Sequence, residues 1–135
     1  MRAYVDTSAA AKLLLVEAES RAMVEFMNDD RFSMVGSWLL ATELRRLAIR
    51  SHVAMSEVTD ALTRFDIMPI LEGDFQNAGI LHDPSIRSLD AIHLAVASQA
   101  QVDFVVTYDA RMKDASLRVF GIPVLEPGVE SSPLG

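Results

Sequence analysis

The chain opens with Arg2-Ala3-Tyr4-Val5-Asp6-Thr7-Ser8-Ala9, in which a short apolar segment ends at an acidic residue and leads directly into helix-forming residues. The apolar part, Arg2–Val5, predicts a strand. Thr7 or Ser8 can cap the helix that we expect over residues 9–15, because a side-chain oxygen accepts one of the free backbone N–H groups of a first turn. A strand that passes at once into a helix is the building unit of a parallel sheet.

The rest of the chain repeats this alternation of short apolar segments and amphipathic ones. Further strands are predicted over residues 32–35, 67–71, 103–107 and 122–125, and further helices over residues 20–27, 37–50, 56–65, 74–81, 89–100 and 110–119. Because such strands pair in parallel and are covered on both faces, we predict an α/β fold, a three-layer α/β/α sandwich with a short central parallel sheet. This domain is expected over residues 1–126, followed by a flexible tail over 127–135, where Pro and Gly oppose regular pairing.

Composition narrows the possible classes of function. The 135 residues include 12 Lys and Arg against 19 Asp and Glu, so the formal net charge is −7. This acidity argues against a simple basic clamp for nucleic acid. With no cysteine, the chain offers neither a disulfide nor a thiolate metal ligand. No targeting segment and no apolar run of the ~20 residues that cross a membrane are visible, so we expect a soluble protein of the cytoplasm.

Four acidic residues occupy positions that indicate a shared site. Asp6 and Asp109 each follow a predicted strand directly, and ligands of open α/β sheets bind outside the carboxyl ends of the strands. Asp90 lies in the first turn of a predicted helix, and Glu43 lies inside a long one. Each position also has a local explanation. Asp6 and Asp109 can cap helices, Asp90 can interact with a helix dipole, and Glu43 can pair with Arg46.

A cluster of carboxylates needs a cation, because like charges a few Å apart raise each other's pKa. Mg²⁺ binds carboxylate and water oxygens and needs neither Cys nor His. A metal held in this way can activate water and neutralise a phosphodiester. The four acids together therefore predict metal-assisted hydrolysis of a phosphodiester.

Several motifs together resemble the PIN-domain family, and within it the VapC-type toxins. They are Asp6-Thr7-Ser8-Ala9, Glu43 after Ser37-Trp38-Leu39, Arg87-Ser88-Leu89-Asp90-Ala91-Ile92-His93-Leu94-Ala95, and Thr107-Tyr108-Asp109. The resemblance covers residues 1–126. It implies an endoribonuclease that uses Mg²⁺ or Mn²⁺ to cut structured RNA such as tRNA or rRNA. It also implies homodimers, and inhibition by the cognate antitoxin of a toxin–antitoxin pair.

The resemblance also assigns roles to individual residues. It implies that the metal-binding and catalytic residues are Asp6, Glu43, Asp90 and Asp109. Thr7 and Thr107 match the neighbouring hydroxyl positions, which can orient the ligands from a second layer. Asp109 is preferred over Asp114 because it follows the strand directly.

Two further residues have alternative interpretations. His93 lies three residues after Asp90, so the two can share a helix face. His93 can act as a base or support the acids, or it can pack at the edge of the core near Leu89 and Val96. Arg87 can contact RNA phosphate or brace the carboxylates, or it can be a solvated loop residue.

The first helices supply a candidate surface for the antitoxin. The chain contains seven Met, a residue that suits adaptable binding surfaces. We predict a groove for an amphipathic antitoxin segment, formed by Leu13, Leu14, Phe26, Leu62 and Phe65. Ordinary core packing is the alternative for each of these residues. The alternative function is a non-catalytic PIN-like module that binds RNA or protein and keeps a vestigial acidic site.

Overall fold

Five parallel strands form the central sheet of the computed structural model, which describes residues 1–129. They are β1 (Arg2–Val5), β2 (Ser33–Ser37), β3 (Asp66–Met68), β4 (Phe104–Val106) and β5 (Val124–Leu125). Their order across the sheet is β3-β2-β1-β4-β5. Because β1 lies between β2 and β4, the residues that follow β1 and β4 are neighbours at the carboxyl edge of the sheet.

Helices cover both faces of this sheet. They are α1 (Thr7–Ala10), α2 (Ser20–Met27), α3 (Trp38–Arg50), α4 (Met55–Leu62), α5 (Glu72–Gly79), α6 (Ser88–Gln99) and α7 (Ala110–Ala115). A 3₁₀ turn over Ala11–Leu13 extends α1, and a π-helical turn over Ser116–Phe120 extends α7. The predicted three-layer α/β/α sandwich is confirmed.

Two hydrophobic cores lie on opposite faces of the sheet, because side chains alternate along each strand. On β1, Ala3 and Val5 belong to the core formed with α1 to α4, whereas Tyr4 belongs to the core formed with α6 and α7. Leu44 of α3 and Leu94 of α6 are fully buried in these two cores. Burial of one Leu side chain contributes roughly 1.5–3 kcal/mol to the free energy of folding. Hydrophobic packing therefore holds each helical layer against its own face of the sheet.

Helix α1 begins at Thr7, two residues before the predicted start. Of the possible caps, the Asp6 carboxylate rather than the hydroxyl of Thr7 or Ser8 accepts the N–H of Ala9, at 3.1 Å. Both hydroxyl groups are therefore free to bond elsewhere, and both do so within the candidate site described below.

Three other predicted boundaries are also wrong. Helix α4 ends at Leu62 rather than at residue 65, and α6 spans Ser88–Gln99 rather than residues 89–100. The strand β3 ends at Met68 and does not continue to residue 71. Pro69 explains this end, because proline has no N–H to donate to a neighbouring strand.

The end of the chain is only partly described. The hydroxyl of Tyr108 donates to the carbonyl of Pro127 at 2.6 Å. Residues 130–135, which belong to the predicted flexible tail, lie outside the described residues. Within residues 1–129, no helix is both long and apolar enough to cross a membrane.

Candidate active site

Asp6 lies at the carboxyl edge of the sheet, where β1 and β4 run side by side. Its N–H donates to the carbonyl of Val106 at 3.1 Å, which continues the parallel pairing one residue beyond β1. The next residue of that neighbouring chain segment is Thr107, whose hydroxyl donates to Asp6 Oδ2 at 2.5 Å. Ser8 donates to the other oxygen, Oδ1, at 2.7 Å. The fold therefore fixes the first acid between hydroxyl groups from two strand ends.

Burial disfavours the ionised form of the Asp6 carboxyl group. The residue is only 4% exposed. Removal from water raises the pKa of its carboxyl, although the hydrogen bonds from Thr107, Ser8 and Ala9 act in the opposite direction. Two hydroxyl donors and one N–H thus stabilise an acid that solvent barely reaches.

Glu43 projects from α3 towards the same edge. Its Oε1 accepts the hydroxyl of Thr7 at 2.8 Å and lies 2.6 Å from His93 Nε2. Partial burial alone would raise the pKa of Glu43, but the hydrogen bonds with His93 and Thr7 hold this pKa below its ordinary value. These partners replace the surface pairing with Arg46 that the local interpretation suggested.

A buried hydrogen-bonded chain leads from the N-terminal end of α3 to Glu43. The Tyr4 hydroxyl lies 2.9 Å from Ser37 Oγ and 2.6 Å from His93 Nδ1. An ionised Glu43 accepts from His93 Nε2–H, so Nδ1 of a neutral imidazole must accept from Tyr4. The Tyr4 oxygen can then accept from Ser37. Ser37 also caps α3 by accepting the N–H of Leu40.

Asp90 and Asp109 complete the predicted set of acids. Asp90, in the first turn of α6, is half-buried. Burial raises the pKa of Asp90, the negative charge of Asp109 raises it further, and Glu43 adds a smaller effect in the same direction. Asp109 caps α7 by accepting the N–H of Arg111 at 2.8 Å. Asp6 and Asp109 therefore do cap helices, as the local explanation of their positions expects.

The structure also places the remaining candidate residues, which are Thr7, Thr107, Arg87 and Asp114. Thr7 and Thr107 both donate to acids of the site, as described above. Arg87 is exposed, and its positive charge lowers the pKa of Asp90. Asp114 does not join the cluster, because it forms an ion pair with Arg118 at 2.9 Å.

Two residues of the site had no predicted role there. The sequence indicates a helix cap at Ser8, which lies within the Asp6 motif. It indicates only a strand position for Tyr4. A buried tyrosine hydroxyl usually finds a hydrogen-bond partner. The position of Tyr4 in an apolar strand therefore indicates a buried polar contact.

Comparison with known families decides how this arrangement is classified. The family model described as the PIN domain matches residues 3–117, which is most of the chain. This chain belongs to the PIN domain family. Ribonuclease VapC35 of Mycobacterium tuberculosis is 38% identical over 136 residues, which cover 93% of this PIN domain and 96% of the relative.

Solved structures have the same fold. VapC20 of Mycobacterium tuberculosis, described as a sarcin-ricin loop cleaving toxin, aligns with a TM-score of 0.71 at 19% identity, covering 84% of this PIN domain and 94% of that chain. A chain from a toxin–antitoxin complex of Klebsiella pneumoniae aligns with a TM-score of 0.72 at 21% identity. The alignment covers 93% of this PIN domain and 97% of that chain.

The donor chemistry of this PIN domain fits a hard divalent cation. The four acids offer carboxylate oxygens; burial raises the pKa of Asp6, and burial together with the charge of Asp109 raises that of Asp90. Across residues 1–129, no three His, Asp or Glu side chains are already gathered tightly enough to form a ready-made metal site. Asp90 is half-buried and Asp109 is exposed, so both side chains have room to move.

Two of the five residues predicted to form an antitoxin groove lie together at a surface depression. Leu13 and Leu14 line a depression of about 370 Å³ between the 3₁₀ turn, α2 and α4. Its other lining residues are Val24, Glu57, Asp60, Ala61 and Arg64. Phe65 is wrong as a groove residue, because it is 8% exposed and belongs to the core, while half-buried Phe26 and Leu62 pack against that core.

Proposed function

We propose that this chain is a metal-dependent endoribonuclease that hydrolyses RNA phosphodiester bonds and acts as the toxin of a toxin–antitoxin pair. The observation that carries the proposal is that Asp6 and Asp109 follow the neighbouring strands β1 and β4, while Asp90 lies near enough to Asp109 and Glu43 for their charges to raise its pKa. The relatives named Ribonuclease VapC support the substrate class.

Each acid has a distinct role in the proposal. Asp6, held by Thr107 and Ser8, is the rigid metal ligand, and Asp90 and Asp109 are the adjustable ones. Glu43 contributes Oε2, because Oε1 is already bonded to Thr7 and His93. A bound Mg²⁺ or Mn²⁺ ion would supply positive charge against the phosphate and a more acidic water.

RNA cleavage tests this proposal directly. We expect the purified protein to cleave structured RNA with Mg²⁺ or Mn²⁺, and to lose activity with chelator or in Asp90→Asn. Asp30→Asn is the matched control, because Asp30 is exposed and lies outside the site. Cleavage that survives both chelator and Asp90→Asn would contradict the metal mechanism. RNA binding without any cleavage would favour the non-catalytic module.

The antitoxin partner is proposed from the groove beside Leu13 and Leu14. Its apolar floor and charged rim suit an amphipathic segment. The solved toxin–antitoxin complex from Klebsiella pneumoniae supports a partner of this kind. We expect Ala61→Arg, which obstructs the groove, to weaken binding of the antitoxin in pull-down assays, whereas Ala18→Arg, at an exposed site outside the groove, does not. The homodimer stays a prediction, to be tested by measuring the mass in solution.

A further inference from the structure

A cavity of about 490 Å³ opens directly beside Asp90, between α7 and the loop that precedes α6. We call it the α7 cavity. Its apolar walls are Ile86, Ala110 and Ala115, and its polar lining includes Ser85, Asp90 and Arg111. The volume falls within the roughly 300–1,000 Å³ range of small-molecule sites. One lining residue, Asp90, also belongs to the proposed metal site.

Ion pairs hold the outer wall of the α7 cavity in place. Arg118 Nη2 lies 2.6 Å from Asp83 Oδ2 and 2.9 Å from Asp114 Oδ2, so it ties the loop to the end of α7. Asp83 in turn accepts the N–H of Ser85 at 2.9 Å and its hydroxyl at 2.5 Å. The loop is thus fastened at both oxygens of one carboxylate. These contacts join the loop before α6 to the end of α7, the two segments between which the α7 cavity opens.

The lining of the α7 cavity combines the two chemistries that a nucleotide needs. Small apolar walls accept the flat face of a base. Arg111 is exposed at the rim, and within the part of the chain that the structure describes its guanidinium has no acidic partner. Asp114 is paired with Arg118, a guanidinium that it shares with Asp83. A guanidinium beside an apolar slot suits a phosphate group that follows a seated base.

We propose that the α7 cavity binds one nucleotide of the RNA strand, the one next to the phosphate that is cleaved at the four-acid edge. The base lies against Ile86, Ala110 and Ala115, and Arg111 contacts the following phosphate. This inference rests on the proposed ribonuclease function, because Asp90 joins the cavity to the cleavage site. The cavity would therefore set which nucleotide is tolerated beside the scissile bond.

Nucleotide binding tests the proposal without requiring catalysis. We would titrate each of the four ribonucleoside 5′-monophosphates into the isotope-labelled full chain and follow amide shifts by NMR. Ala110→Phe fills the α7 cavity and should weaken the tightest of these complexes by at least about tenfold in Kd, equivalent to ~1.4 kcal/mol. Ala18→Phe adds the same side chain at an exposed site outside the cavity and should leave Kd unchanged.

Cleavage assays separate this proposal from the proposed function. Ala110→Phe should lower kcat/KM for RNA about tenfold more than kcat/KM for bis(p-nitrophenyl) phosphate, a diester without a nucleoside. Arg111→Gln, which keeps the helix intact, should raise KM for RNA and reduce its salt dependence by about one phosphate contact. It serves as the second variant where Ala110→Phe does not fold.

The outcomes are distinguishable. Wild-type nucleotide affinity in Ala110→Phe, or equal losses on both diesters, would overturn the α7 cavity as a subsite and leave the ribonuclease proposal intact. Nucleotide binding by a protein that cleaves no RNA would overturn the ribonuclease proposal while supporting the cavity.

Discussion

His93 Nε2 lies 2.6 Å from Oε1 of Glu43, although 50 residues separate the two in sequence. The imidazole is 2% exposed and joins α6 to α3 across the carboxyl edge of the sheet. It orients an acid of the site, and its own orientation is fixed by Tyr4 on the opposite side of the ring. The geometry makes Tyr4 a positioning residue for Glu43, acting through His93.

The first prediction concerns this hydroxyl. Tyr4→Phe removes the donor to His93 Nδ1 and leaves that buried atom unsatisfied, which should cost about 1–3 kcal/mol in the free energy of unfolding. Because the orientation of Glu43 becomes less defined, we expect kcat for RNA to fall while KM changes little. Denaturant unfolding and steady-state kinetics measure the two effects.

Tyr108→Phe is the matched control for Tyr4→Phe. The hydroxyl of Tyr108 bonds to the carbonyl of Pro127, away from the acids, so kcat should stay at the wild-type value. Equal kinetic losses in the two variants would contradict a specific positioning role for Tyr4.

The second prediction concerns Thr107. Thr107→Val keeps the volume of the side chain but removes the donor to buried Asp6 Oδ2, and a hydrogen bond to a charged group contributes about 1.5–3 kcal/mol. We expect a loss of stability of this size at neutral pH. Thr63→Val is the control, because the exposed Thr63 hydroxyl bonds only to the carbonyl of Asp60, and its loss should cost at most about 0.5 kcal/mol. Equal losses in chemical denaturation would count against the stabilisation of Asp6 by Thr107.

Local patterns were sufficient to predict the sheet and the common edge of the acids. Alternation along β1 and the acids after β1 and β4 are encoded in a few consecutive residues, and parallel pairing brings the strand ends together. The link between Tyr4 and His93 spans 89 residues and depends on which face of the sheet Tyr4 occupies. A strand assignment alone did not fix that face. The α7 cavity likewise opens between two segments that are distant in sequence, α7 and the loop before α6. The ion pair of Arg118 with Asp83 joins them, and no local sequence pattern predicts it.

The third prediction concerns metal binding. A ligand that binds only the folded state stabilises it, by about 2.7 kcal/mol at a concentration 100 times its Kd. We expect Mn²⁺ to raise the Tm of the wild-type protein and to raise that of Asp90→Asn clearly less. Thermal unfolding with and without chelator measures the difference. An equal Mn²⁺ response in both proteins would show that Asp90 is not a ligand.

The fourth prediction concerns the pH dependence of stability in the metal-free protein. Burial and the charge of Asp109 raise the folded-state pKa of Asp90 above the ordinary value of 3.8. The folded state then binds this proton more tightly than the unfolded state, so the stabilisation is present below pH 3.8 and is lost as the pH rises through the folded pKa. Asp90→Asn should therefore be more stable than wild type at pH 7, by less than about 1 kcal/mol because water screens the half-exposed group.

Asp83 is the control for this prediction, because its pKa is shifted in the opposite direction from that of Asp90. Hydrogen bonds from Ser85 and Arg118 lower the pKa of Asp83 to about 2, so its stabilisation is present above pH 3.8 and is lost only as the pH falls towards 2. Asp83→Asn should be less stable than wild type by a constant amount between pH 4.5 and 8. The advantage of Asp90→Asn should instead narrow as the pH falls towards 3.8. Parallel melting curves over this range compare the two, and a destabilised Asp90→Asn at pH 7 would identify Asp90 as a simple helix-dipole partner.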